Sequence, residues 1–241
     1  MQILVRRHHK KARCPLIPAP RLPQFAAFLM ILTVTLGVTQ VTEDTNDAAA
    51  HKRAEVLLQQ MTLDEKLQFI LSKYPSNASP KGGAGLVPGI PRLHIPDINI
   101  VDSAMGSGST SQASSTFPAT IGLAASWDRQ LSCDYGVQVA KQLRARGFNM
   151  GLGGGANLAR EPRGGRLFEY LGEDPELAGE LLAQRTLGTQ SQKVIATIKH
   201  FAGNEQETNR MGGNSQIDER TLRELYLLPF EVAIKQAIPA V

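Results

Sequence analysis

Asp102 and the pair Lys199-His200 each close a short apolar run, Ile98–Val101 (INIV) and Val194–Ile198 (VIATI). A carboxylate in that position can accept hydrogen bonds from ligand hydroxyls; its plainer use is to hold a turn. Lys199 and His200 offer adjacent polar groups, and strand alternation turns one of them inward. Arg160, Arg163 and Arg166 lie between these runs, in a Gly- and Pro-bearing loop with Glu161, Glu169, Glu173 and Asp174. Ion pairs bracing a long loop account for most of that set. One guanidinium can still aim its planar fork at a diol or a carboxylate.

Other chemistries fail on spacing. The glycine run Gly151–Gly155 lacks the G-x-x-x-x-G-K-[ST] phosphate loop, and His200, Glu205 and Glu207 do not make H-E-x-x-H. There is no G-x-S-x-G elbow. Cys14 and Cys133 are the only cysteines, too few for a disulfide framework or a Cys-based zinc site.

These residues need a frame that brings positions 102, 160–166 and 199–200 together. Thr62 and Glu65 form a T-x-x-E capping box after a helical stretch at Ala54–Gln60. Residues 75–91, rich in Pro and Gly, read as a loop, and residues 103–116 as a flexible Gly/Ser loop. Asp128 caps a helix to Arg146 in which Leu131, Tyr135, Val139 and Leu143 share a face. Phe148–Leu152 is the next strand. Asp174-Pro175 starts a helix to about Gly188, and Asp218 caps a last helix to about Lys235, bent near Pro229. Strands alternating with helices predict an α/β fold with a parallel sheet. Strands that read as apolar runs predict a sheet covered on both faces. The polar clusters all follow strands, where ligands bind in such folds.

The chain has 241 residues, enough for one large core, and 42% hydrophobic content argues against general disorder. Its net charge of +4 is uneven: residues 1–40 hold six bases and no acid, and the remaining 20 bases and 22 acids give −2. No basic stripe is left to bind nucleic acid. Phe25–Val38 is an uncharged apolar run of 14 residues. That is short of the roughly 20 a membrane helix needs and fits a signal-peptide core of about 7–15. Residues 1–40 therefore read as an export leader, periplasmic or extracellular in destination, with an uncleaved membrane anchor as the competing reading. Residues 41–51 read as a linker and 52–241 as the folded domain.

Four ordered segments carry a family resemblance. KHFAGNEQETNR (Lys199–Arg210), REPRGGRLFEYLGEDPELAGE (Arg160–Glu180), FPATIGLAASWD (Phe117–Asp128) and IDERTLRELYLLPFEVAI (Ile217–Ile234) resemble family 3 glycoside hydrolases of the β-glucosidase type. The resemblance implies an incomplete (β/α)8 TIM-like barrel, the N-terminal domain of such an enzyme. It implies that Asp102, Arg166, Lys199 and His200 bind hydroxyls of the terminal sugar in the −1 subsite, with Glu207 and Arg210 supporting the loop. The implied activity is retaining hydrolysis of terminal non-reducing β-D-glucosyl residues, with an oligosaccharide or β-glucoside as partner and no metal or organic cofactor. Asp102-Ser103-Ala104 departs from the family's Asp-Gly-Pro.

Retaining hydrolysis needs a nucleophile and an acid/base carboxylate, and the resemblance assigns neither to this chain. From His51 to Val241 there are 191 residues, against about 250 for a complete barrel; roughly five of eight βα units are expected. The alternatives are an inactive sugar-binding fragment, a β-xylosidase or other exo-β-glycosidase of the family, and a chain that an open strand edge prevents from folding alone.

Overall fold

A computed structural model describes residues 45–71 and 81–237. The leader, Cys14 and part of the loop at 75–80 lie outside them. The chain divides into two compact units that meet in sequence at Lys66 and Leu67.

Before that boundary stands helix α1, Thr45–Gln60. It begins inside the segment read as a linker, because Ala48–Ala50 are strong helix formers. The capping box starts helix α2, Leu63–Ile70. The Glu65 carboxylate accepts from the Thr62 N–H at 2.9 Å, and the Thr62 hydroxyl accepts from the Glu65 N–H at 3.2 Å.

After it comes a four-stranded sheet in the order β1-β2-β3-β4: Gly85–Val87, Ile98–Asp102, Met150–Gly155 and Ile195–Lys199. β1, in the stretch read as a loop, pairs antiparallel with β2; the pairs β2–β3 and β3–β4 are parallel. The sheet is mixed and open, with three parallel strands among the described residues where five βα units were expected. Coverage of both faces is also incomplete: Ile195 is 43% exposed, and Ile98 and Ile100 are half-buried.

Helix α3, Thr120–Ala124, and helix α4, Arg129–Ala145, join β2 to β3. Helix α5, Pro175–Gln190, joins β3 to β4. The caps are as the sequence predicts. Asp128 accepts from the N–H groups of Gln130 and Leu131, and Asp174 from those of Glu176 and Leu177. Tyr135, Val139 and Leu143 of α4 are buried with Val101 and Phe148. Leu131, expected on the same face, is 46% exposed because it sits in the first turn. A second core packs Leu181 and Leu182 of α5 against Ile198 and Phe230.

Asp218 caps α6, Glu219–Thr221, which continues as a π-helical turn, Leu222–Tyr226, before α7, Leu228–Ala237. The expected single bent helix is thus interrupted just before Pro229, whose ring cannot donate into the preceding turn. No described helix is long and apolar enough to cross a membrane.

Candidate functional site

Parallel pairing sets the strand ends side by side: Asp102 is opposite Leu152, and Gly155 is opposite Lys199. The glycine run that failed as a phosphate loop is β3 itself. Its bare backbone lets the following loop fold back over it: Tyr170 bridges to Gly155, and a Cβ there would lie 2.0 Å from the Glu169 carbonyl. That contact delivers Glu169 to the ends of β2 and β4.

The resulting cluster is a chain of alternating charges. Lys199 Nζ donates to Asp102 Oδ1 at 2.7 Å and lies 3.7 Å from Glu169 Oε2. Arg166 Nε donates to the other Glu169 oxygen, and an Arg166 terminal nitrogen lies 4.0 Å from Glu207 Oε1. Arg210 pairs with Glu207 at 2.7 Å, and Asn204 donates to it at 3.1 Å. The Glu169 side chain is 5% exposed and that of Lys199 14%, while Asp102 is 59% exposed. Burial pulls on Arg166, but Glu169, Tyr170 and Glu207 outweigh it, and the guanidinium holds its proton more tightly than usual.

Asp102, Arg166, Glu169 and Lys199 line one pocket of about 310 Å3, walled also by Phe168 and by the 103–116 loop. Three of the four predicted residues therefore share a wall. His200 is not on it. Its ring nitrogen Nδ1 lies 3.1 Å from Asn157 Oδ1, and Asn157 also bonds the His200 main chain at 2.8 and 3.0 Å. Burial, with Arg166 and Lys199 close by, pulls the imidazole down from 6.5 to about 4. The Lys199–His200 and Phe201–Ala202 peptide bonds are cis.

The other arginines serve the loop. Arg163 pairs with Glu161 at the surface, and Arg160 donates to the Tyr226 hydroxyl. The Ser103-Ala104 turn after Asp102 is braced by Arg185 of α5, whose Nη2 donates to the Ser103 carbonyl at 2.9 Å and the Ala104 carbonyl at 2.7 Å. Among the described residues no group of three His, Cys, Asp or Glu is placed to hold a metal.

A cluster of this kind offers charged donors and acceptors to a ligand rich in hydroxyls. Residues 89–241 match the description "Glycosyl hydrolase family 3 N terminal domain". The chain belongs to glycosyl hydrolase family 3. It is 39% identical over 194 residues to the thermostable beta-glucosidase B of Acetivibrio thermocellus, covering 76% of this chain and 24% of that protein. Beta-glucosidase 3B from Thermotoga neapolitana, solved in complex with glucose, superposes with a TM-score of 0.73 at 35% identity, over 78% of this chain and 28% of that one. DesR, a beta-glucosidase from Streptomyces venezuelae solved with D-glucose, gives 0.70 at 35% identity, over 76% and 23%. The chain thus spans about a quarter of the length of these family 3 relatives.

Sequence reasoning placed Glu169 among ion pairs bracing a long loop, where it does pair with Arg166, and passed over Asn157 and Arg185. Glu169 carries a usable signal, since it sits three residues from Arg166. Asn157 and Arg185 carry none, because their partners lie 43 and about 81 residues away.

Proposed function

We propose that this chain forms the part of a family 3 β-glucosidase that binds the terminal non-reducing β-D-glucosyl unit, and that the whole protein hydrolyses that unit with retention. The carrying observation is the single pocket lined by Asp102, Arg166, Glu169 and Lys199. A pyranose presents hydroxyls that both donate and accept, so a wall of alternating carboxylates and cations matches it in every direction. Contacts that tighten as the ring flattens favour the transition state over the ground state. The carboxylates that break the bond are not assigned to this chain. In this reading the remainder of the protein supplies them and closes a TIM-type barrel. Residues 1–40 direct export to the periplasm or cell exterior; their six bases and 14-residue apolar run support that.

Calorimetric titration of the full chain with glucose tests the reading. Saturable binding is expected, with loss in Asp102→Ala and no turnover of an aryl β-glucoside by either. A chain that is compact by size exclusion and helical by circular dichroism, yet indifferent to glucose, overturns it.

A further inference from the structure

We propose that the small cavity between the sheet and helices α4 and α5 binds a single halide ion, with chloride as the common case, and that the ion steadies the turn that aims Asp102. The ion site stands on the cavity itself. Its effect on sugar affinity rests on the function proposed above.

The cavity measures about 20 Å3. About 10–15 Å3 is enough for one water, so it admits one small particle and is too small for phosphate, sulfate or a sugar. Ser103, Gly153 of β3, Thr197 of β4 and Arg185 of α5 line it, and no acidic residue does. Two of these side chains carry an atom sealed from solvent and without a partner among the described residues, Arg185 Nη1 and Thr197 Oγ1. Arg185 is 4% exposed and Thr197 9%. Bare backbone makes the room: a Cβ on Gly151 or Gly153 would lie 2.7 or 2.4 Å from the Ser103 hydroxyl oxygen.

Charge selects the occupant. Arg185 Nη2 meets two main-chain carbonyls, and the guanidinium lies over the Tyr135 ring. Those partners are dipoles and a ring face, not a counter-charge. The carboxylate whose charge reaches Arg185 is Glu169, and it is already paired with Arg166 and Lys199. A buried charge needs an opposite charge as well as hydrogen bonds. An anion beside Nη1 supplies both, whereas a water leaves the cation unneutralised. Thr197 Oγ1 is free to donate to the same ion.

The cavity adjoins the elements that carry the binding wall. Thr197 and Lys199 belong to the same strand. Arg185 holds the Ser103 and Ala104 carbonyls directly after Asp102. An ion that fixes the guanidinium therefore fixes that turn, and glucose affinity becomes chloride-dependent.

The test is chloride-35 line broadening and the melting midpoint of the full chain, with sodium chloride exchanged for sodium methanesulfonate at constant ionic strength. Saturable broadening that bromide displaces is expected, with a midpoint about 3–6 °C higher at ten times the dissociation constant. Equal midpoints in both salts and no broadening mean that the cavity holds water, and they overturn the site. Arg185→Met removes the brace along with the ligand, so Thr197→Val, which keeps the side-chain volume, is the sharper variant. With an unchanged circular dichroism spectrum its chloride affinity should fall about tenfold or more, the loss of one hydrogen bond to a charge. Unchanged affinity puts the ion elsewhere and overturns the assignment. Wild type should bind glucose about fivefold more tightly in chloride than in methanesulfonate. If chloride binds and glucose affinity is the same in both salts, the coupling fails and the ion site stands. If chloride binds and glucose binds in neither salt, the function proposed above fails and the ion site stands.

Discussion

Lys199, half-buried, and Arg185, fully buried, are two cations with opposite surroundings. Lys199 stands at a strand end between Asp102 at 2.7 Å and Glu169 at 3.7 Å, at the wall of an open pocket. Arg185 lies in the layer beneath, 4% exposed, where it hydrogen-bonds two main-chain carbonyls and packs 4.9 Å over the Tyr135 ring. Burial lowers its affinity for its proton, as expected for a charge taken from water. The difference separates binding from bracing. A cation placed to meet a ligand keeps an exposed counter-charge, here Asp102, that a hydroxyl can share. A cation meant to hold backbone is locked onto carbonyls, here those of the turn that aims Asp102. The Ser103-Ala104 departure from the family's Asp-Gly-Pro is therefore a turn held by a side chain from another helix.

Arg185→Met breaks the comparison hardest. It leaves two carbonyls without their donor and a poorly filled core, and should cost about 3–5 kcal/mol, read as a lower urea midpoint with fluorescence detection. Wild-type stability in this variant would mean that the brace is idle. Lys199→Met should do the reverse. Arg166 still neutralises Glu169, so stability should change little, while glucose affinity falls by about 10- to 100-fold, the value of one or two charge-assisted hydrogen bonds. A large stability loss with intact binding would make Lys199 a brace as well.

Legibility follows the same division. The strand-end residues were visible because a polar group at the end of an apolar run is locally anomalous: Asp102 after INIV, Lys199 after VIATI. Caps were visible for a similar reason, since Asp128, Asp174 and Thr62 act on N–H groups two or three residues away. Arg185 was not visible. α5 is buried around most of its circumference, including Gln184, Arg185, Thr186 and Thr189, so no amphipathic stripe marks the charge as inward. β3 was only half legible. Glycine has low strand propensity, and the run Gly153–Gly155 is there for what packs onto it, not for its own conformation. β1, three residues in a Gly/Pro-rich stretch, owes its strand state to its pairing with β2.

The layer that carries Arg185 also depends on close helix contact, which gives a smaller test. Gly188 of α5 and Gly136 of α4 sit at the crossing, where added Cβ atoms would lie 2.1 Å from the Cys133 carbonyl and 2.2 Å from the Arg185 carbonyl. In an open helix, Gly→Ala gains up to about 1 kcal/mol. Here Gly188→Ala should instead destabilise by about 1–3 kcal/mol, because the helices must part. Glucose affinity should hold if the Arg185 brace survives the shift, and fall with stability if the two layers move as one.

The smallest effect is a pH slope at the strand ends. His200 titrates near 4 in the folded protein against 6.5 when unperturbed, chiefly through burial and then Arg166 and Lys199. Between those values the unfolded chain binds a proton that the native ring refuses. Its contribution to stability is therefore complete above pH 6.5 and is lost as the pH falls toward 4. Glu205 acts in the opposite sense. Burial raises it above 4.5, so the native state keeps a proton the unfolded chain has released, and stability falls as the pH rises through that range. Thermal midpoints of wild type and His200→Gln, compared from pH 7 to pH 4, isolate the first slope. The variant should lose less stability than wild type on acidification. Parallel curves would mean that neither burial nor the nearby cations lower the His200 imidazole in the folded protein.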